Sequence, residues 1–254
     1  MCFPYDAHPP VRPIAGAAVD HEDLVLQASG GARFAAFSAK AEQPAGPAVV
    51  VLPDVRGLFR FYEELALRFA EVGYDSVAID YFGRTAGVSK RDAEFPFRDY
   101  LGQTKDAEIA ADTRAAVEHL RNREGQADRA VFTVGFCFGG SNSWLQAAHG
   151  HGLAGVIGFY GMPKREWFSD SKPVIERVDE FECPVLGLMG GADQAIPPED
   201  VQAFDDALRR AGVEHEIVTY EGAPHSFFDR TYEEHREASA DAWQRMLNFI
   251  HAHS

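Results

Sequence analysis

Residues 130–140 read AVFTVGFCFGG. A short apolar run passes directly into Gly135-Phe136-Cys137-Phe138-Gly139-Gly140, and a helix-compatible stretch to about residue 148 follows. Apolar runs of about four to eight residues are the mark of strands buried on both faces of a parallel sheet. Small residues on either side of Cys137 permit a tight, strained strand-to-helix turn. Such a turn raises its central side chain above the sheet, at a helix N-terminus whose dipole and free amides favour negative charge. G-x-C-x-G is the cysteine form of a nucleophile elbow. The plainer alternative is that Cys137 is a small buried hydrophobe.

The same alternation extends in both directions. Residues 22–28 and 32–39 flank Ser29-Gly30-Gly31 as a hairpin, and 48–52 (AVVVL) is wholly apolar. Phe61, Leu65, Phe69 and Val72 recur at helical spacing up to Gly73, and residues 76–80 read as a strand. Ile109, Thr113, Val117 and Leu120 form one face of a helix. Residues 154–159, 185–189 and 216–220 read as further strands. Pro197 and Pro198 open a helix marked by Val201, Phe204, Leu208 and Ala211, and Trp243, Met246, Leu247 and Ile250 mark a closing one. Strands separated by helices predict an α/β fold, a mostly parallel central sheet with helices on both faces. Residues 1–20, carrying Pro4, Pro9, Pro10 and Pro13, read as an irregular arm over the surface, and 21–254 as a single domain.

Composition narrows the functional classes. The chain has 254 residues, 46% hydrophobic and 25% charged, an ordinary globular balance. A chain of this length buries roughly 70–75% of its unfolded surface and needs no disulfide or metal staple. Its 24 basic and 39 acidic side chains give a net charge of −15, which argues against a nucleic-acid partner. A few arginines can still set the field of a cleft that takes an anionic small molecule. Cys2, Cys137 and Cys183 lack metal-ligand spacing and fit free thiols in a reducing compartment. Neither a signal peptide nor an apolar run of membrane-spanning length is evident, so the expectation is a cytoplasmic protein away from membranes. No metal or organic cofactor is expected, since His149-x-His151 and His251-x-His253 lack zinc spacing. These four histidines read as solvated, Cys183 as inert, and Cys2 has no role assigned. Oligomeric state is not legible.

An elbow nucleophile needs a base and an acid that orients it, in the chain order nucleophile, acid, histidine. Asp193 follows the strand at 185–189 within Gly190-Gly191-Ala192-Asp193, at the carboxyl edge where open α/β sheets build their sites. His225 follows the last strand, in Gly222-Ala223-Pro224-His225-Ser226-Phe227, at the same edge. With these motifs the sequence resembles the dienelactone hydrolase family, a branch of the α/β-hydrolases that uses Cys-His-Asp. The resemblance runs from about residue 22 to the C-terminus. It rests on the elbow, the histidine loop and Asp193 at the family's acid position.

The resemblance carries further implications. Leu52-Pro53-Asp54-Val55-Arg56-Gly57 is similar to the segment where the family sets a glutamate beside its thiol, which implies that Asp54 modulates Cys137. The alternative is that Asp54 caps the turn before Gly57. Asp80-Tyr81-Phe82-Gly83-Arg84 resembles the stretch that supplies a substrate-carboxylate arginine, here Arg84, and Tyr160 falls at a pocket tyrosine. One position departs: four residues after the histidine stands Asp229 instead of the family's second arginine, and an arginine comes one later, at Arg230.

The expected chemistry is cleavage of a small ester or lactone, dienelactone-like and carboxylate-bearing, through a Cys137 acyl-enzyme. His225 is the base, Asp193 holds its tautomer, and the backbone amides of Phe138 and Val55 form the oxyanion hole. Arg56 and Arg60 are further carboxylate candidates or else surface arginines. Trp144 and Tyr160 line the pocket or else pack in the core. Two other readings stay open: a broad carboxylesterase or thioesterase for small acyl groups, and a non-catalytic binding domain of the same fold.

Overall fold

The structure, a computed structural model, describes residues 3–15, 17, 19–44, 46–123 and 126–254; Cys2 lies outside them. The chain begins its regular elements with β1 (Val19–Gln27), β2 (Arg33–Ala41), β3 (Ala48–Leu52), α1 (Arg60–Glu71) and β4 (Asp75–Ile79). Short α2 (Gly83–Ala86) and α3 (Phe97–Leu101) precede α4 (Asp106–Arg121). β5 (Val131–Phe136), α5 (Phe138–Leu145), β6 (Gly155–Phe159) and β7 (Val185–Gly190) follow. α6 (Pro198–Ala211), β8 (His215–Tyr220) and α7 (Arg236–Ala252) close the chain.

All eight strands join one sheet in the order β1-β2-β4-β3-β5-β6-β7-β8. β1, β2 and β4 pair antiparallel, and every pairing from β4 across to β8 is parallel. Every residue of β3 to β7 is buried, whereas β1 and β8 at the edges are partly exposed. That is why β3, β6 and β7 read as unbroken apolar runs.

β6 shows how the helices divide between the faces. Gly155 and Gly158 are three apart and so point to opposite faces. A side chain at Gly155 would strike Phe249 of α7, and one at Gly158 would strike Trp144 of α5. α1 joins α7 through Phe69 and Trp243, and α5 joins α6 through Trp144 and Phe204. Helices therefore cover both faces, as the alternation predicts.

Several details differ from expectation. β1 starts at Val19, and the elbow helix ends at Leu145 with a single 3₁₀ turn after it. Before Val19 the N-terminal stretch has no regular element among its described residues and is mostly exposed or half-buried, but it is anchored in the core at two residues. Phe3 and Ala7 are each only 2% exposed. Phe3 stacks on Phe61 at 4.0 Å and meets Phe136 and Tyr160. An isolated aromatic among prolines gives no periodicity from which to foresee burial. His149 and His151 are not solvated either. His149 Nε2 meets Asp106 at 3.1 Å, and buried His151 meets Gln146 Oε1 at 3.0 Å.

Candidate active site

Cys137 is the one residue between β5 and α5, with φ 56° and ψ −113°. A non-glycine residue there stores on the order of 1–3 kcal/mol of strain, which the surroundings must hold in place. The glycines explain how. A Cβ on Gly135 would lie 1.8 Å from Gly139 O, and one on Gly139 only 2.1 and 2.2 Å from the carbonyls of Leu52 and Pro53. The elbow thus closes on itself and presses its first helical turn against the loop after β3. Cys137 N donates to Phe159 O at 3.0 Å, tying the elbow to the end of β6. The cysteine is 5% exposed.

Asp193 and His225 reach the same edge from the ends of β7 and β8. Ala192 N donates to Ala223 O at 2.9 Å, lacing the two loops together. Asp193 Oδ2 meets His225 Nδ1 at 2.6 Å, while its Oδ1 accepts from Ala195 N at 2.8 Å. His225 is also hydrogen-bonded to Cys137, so the three side chains form one continuous chain. Burial works against a charged imidazole. The hydrogen bonds to Asp193 and Cys137, with their negative charges, outweigh it and push His225 up to about 9.

Tyr160 and Ser226 flank this chain. Tyr160 lies just past β6, fully buried, with its ring 4.8 Å from the His225 ring. Cys137, Tyr160 and Ser226 are the three non-glycine residues with positive φ among the described residues, at 56°, 37° and 62°. Backbone strain is thus gathered at one end of the sheet, where it accompanies function.

The residues singled out for substrate are arranged differently from expectation. Asp54 Oδ1 accepts from Arg56 N at 2.9 Å, and its carbonyl accepts from Gly57 N at 3.1 Å, so Asp54 does cap the turn. Its carboxylate is held by Arg56, with Nε to Oδ1 at 3.1 Å and Nη2 to Oδ2 at 2.6 Å. The Arg56 guanidinium also stacks 4.3 Å from the Phe59 ring and 4.9 Å from Tyr5. Arg84 is committed to Asp112 of α4 at 2.5 and 2.8 Å. Burial of Asp112 raises it to about 6 despite that arginine.

Trp144 is a core residue and not a pocket wall. It fits a slot left by Gly158 and Gly161, where a side-chain carbon would come within 2.4 and 2.5 Å of its ring, and its Nε1 donates to Leu186 O at 3.1 Å. The departure at Asp229 has a structural reason. Fully buried Asp229 accepts from His8 N and Thr231 N, each at 3.0 Å, and Arg230 N donates to His8 O at 3.0 Å. The histidine loop therefore clamps the N-terminal arm. The charge of Arg230 acts on Arg68 of α1. Cys183 is buried away from any such network, its thiol pushed up to about 12 by burial and by Glu182.

Val55 and Phe138 are the residues expected to offer backbone donors. The amides beside Val55 are engaged, Asp54 N with Tyr62 Oη at 2.9 Å and Arg56 N with Asp54 Oδ1. Among the described residues, those of Val55 and Phe138 have no protein acceptor. Sequence reasoning passes over Tyr62 and Tyr81, whose hydroxyls grip this loop, and Phe3 behind Tyr160. Nothing in their local sequence marks them, because their roles arise from contacts between distant elements.

An eight-stranded, mostly parallel sheet with a strained elbow and an acid–histidine pair at its carboxyl edge defines an α/β-hydrolase. The model of the dienelactone hydrolase family matches residues 34–254, and the chain belongs to that family of hydrolases. A Yersinia pestis protein named as a carboxymethylenebutenolidase is 31% identical over 231 residues, 89% of this chain and 86% of that one. A Salmonella typhimurium protein of the same name is 33% identical over 215 residues, 83% and 79% of the two chains. A crystal structure from Klebsiella pneumoniae, bearing the dienelactone hydrolase name, superposes with a TM-score of 0.80 at 30% identity, covering 92% of this chain and 98% of that one. Among the described residues, no helix is long and apolar enough to cross a membrane.

Proposed function

We propose that the chain hydrolyses a small ester or lactone through a thioester on Cys137. The observation that carries this reading is the continuous hydrogen-bonded chain Asp193–His225–Cys137 at the elbow. His225 holds the Cys137 proton as Sγ bonds to the carbonyl carbon, and the developing oxyanion accepts the amides of Phe138 and Val55. Collapse breaks the carbon–oxygen bond, and His225 returns the proton to the departing alkoxide or enolate. Water then gives a proton to His225 and its oxygen to the thioester, freeing the acid and the thiol. Asp193 keeps Nδ1–H of the imidazole facing inward and stabilises the imidazolium.

A second reading of the substrate is favoured by the arginines. Arg84 and Arg56 already hold Asp112 and Asp54, and Asp229 occupies the expected arginine position. These pairings favour a small neutral ester or thioester over a carboxylate-bearing lactone. Replacing Cys137→Ala is expected to lower nitrophenyl acetate turnover on the order of 10⁶-fold. Mass spectrometry of the wild type quenched with a slow acylating ester should find one acyl group on Cys137. Unchanged turnover in Cys137→Ala would leave the chain a binding domain. Efficient turnover of a carboxylate-bearing lactone but not of the neutral ester would restore the dienelactone reading.

A further inference from the structure

The loop that offers Val55 N is held at one peptide group from both ends. Tyr81 Oη donates to the carbonyl of Pro53 at 2.8 Å, and Tyr62 Oη accepts the N–H of Asp54 at 2.9 Å. These two atoms belong to the same peptide unit, so two tyrosines from different elements fix its plane. The next peptide unit is set in turn. Its carbonyl, that of Asp54, accepts Gly57 N at 3.1 Å. Since C=O and N–H of a trans peptide point in opposite directions, the Val55 N–H is aimed away from that turn.

Tyr81 also touches the other half of the hole. Its ring meets Phe138 edge-on, with centroids 5.2 Å apart and planes at 87°. Both tyrosines are buried, at 4% and 0% exposure, so neither hydroxyl has ready water to replace its partner. Gly139 brings the pieces together, because its lack of a side chain lets α5 sit against the carbonyls of Leu52 and Pro53.

Resting on the acyl-enzyme reading above, we infer that Tyr81 and Tyr62 are positioning residues of the oxyanion hole, holding the Pro53–Asp54 peptide so that Val55 N meets the developing oxyanion. Neither needs to touch substrate. Burial, with Asp54, Asp80 and Cys137 nearby, pushes the Tyr81 hydroxyl well above its usual range, which keeps it a donor. Losing an oxyanion donor outright typically costs about 10²–10³-fold in kcat. Loosening one donor should cost less, about 10- to 30-fold by the same scale.

The test compares two reactions of one thiol. Ester hydrolysis builds an oxyanion; alkylation of Cys137 by iodoacetamide needs the thiolate but builds none. Tyr81→Phe keeps the ring and removes the hydroxyl. It is expected to lower kcat for nitrophenyl acetate about 10- to 30-fold. KM should stay within about twofold, and the alkylation rate and its pH profile should not change. Tyr62→Phe attacks the same peptide from the other end and should give the same pattern, which covers the case in which one variant misfolds. Unchanged kcat in both, or alkylation falling in parallel with kcat, overturns the inference. Cys137→Ala run alongside separates the outcomes: if it retains turnover, the acyl-enzyme reading fails; if it is inactive while both tyrosine variants are unaffected, only the positioning role fails.

Discussion

Two buried aspartates mark the opposite ends of the sheet. Asp75 opens β4 at the amino edge, 1% exposed, and accepts from Ala41 N at 2.9 Å, from Arg129 Nη1 at 2.8 Å and from Arg123. Asp193 lies past β7 at the carboxyl edge, 7% exposed, with one backbone amide and one imidazole. Both carboxylates are paired, as burial requires. The partners make the difference. Arginine does not release its proton near neutral pH, so the Asp75 cluster is permanently charged and acts as a clasp. Imidazole exchanges its proton in the working range, so the same carboxylate chemistry can serve as a catalytic relay. Asp54–Arg56 and Asp112–Arg84 are of the clasp type although Asp54 and Arg84 follow β3 and β4 at the carboxyl edge.

The largest expected effect breaks the relay. Asp193→Asn keeps the shape but loses the charge that holds the imidazole tautomer. It should lower kcat on the order of 10⁴-fold while the chain stays folded at the assay temperature. A loss under tenfold would mean that Asp193 is only another clasp. Next comes Arg129→Leu, which removes a guanidinium that is 2% exposed from Asp75. It should cost about 3 kcal/mol of stability, at the low end for a broken buried pair because Arg123 remains. Turnover per folded molecule, measured well below the midpoint, should stay within about twofold of the wild type.

The smallest effect is in the pH dependence of stability, and it has opposite signs at the two edges. Burial raises Asp75, but its hydrogen bonds to Arg129, Arg123 and Ala41 N and the Arg129 charge bring it below the usual value. Its contribution is present above about pH 3.9 and is lost as pH falls through the lower folded value. His225, raised to about 9, contributes fully below an unfolded value of about 6.5, and that contribution is lost as pH rises through 9. Thermal midpoints recorded from acid to alkaline pH should therefore show a shallower acid limb in Arg129→Leu and a shallower alkaline limb in Asp193→Asn. Identical limbs in all three proteins would refute the contrast.

The parts that sequence reading reaches share a physical cause. β3 to β7 are legible because strands covered on both faces are dominated by apolar residues. Cys137 is legible because so sharp a turn admits only glycine at 135 and 139, where any side-chain carbon would come within 2.2 Å of neighbouring backbone. Asp193 and His225 follow from chain order once the elbow is placed. The partner of Arg84 escapes such reading because Asp112 is 28 residues away on another helix, and no spacing rule connects them. Trp144 suits pocket or core equally on its sequence, and only the approach of Gly158 and Gly161 to its ring makes its slot.

By itself the sequence determined the alternation of strand and helix, the place of the thiol and the order in which acid and histidine arrive at one edge, since each is encoded in local pattern or in succession along the chain. The tertiary structure alone decided which carboxylate meets which cation, that Phe3 is buried behind Tyr160, and that two distant tyrosines grip one peptide. Such pairings depend on distances between elements far apart in the chain, and a local pattern carries no record of them.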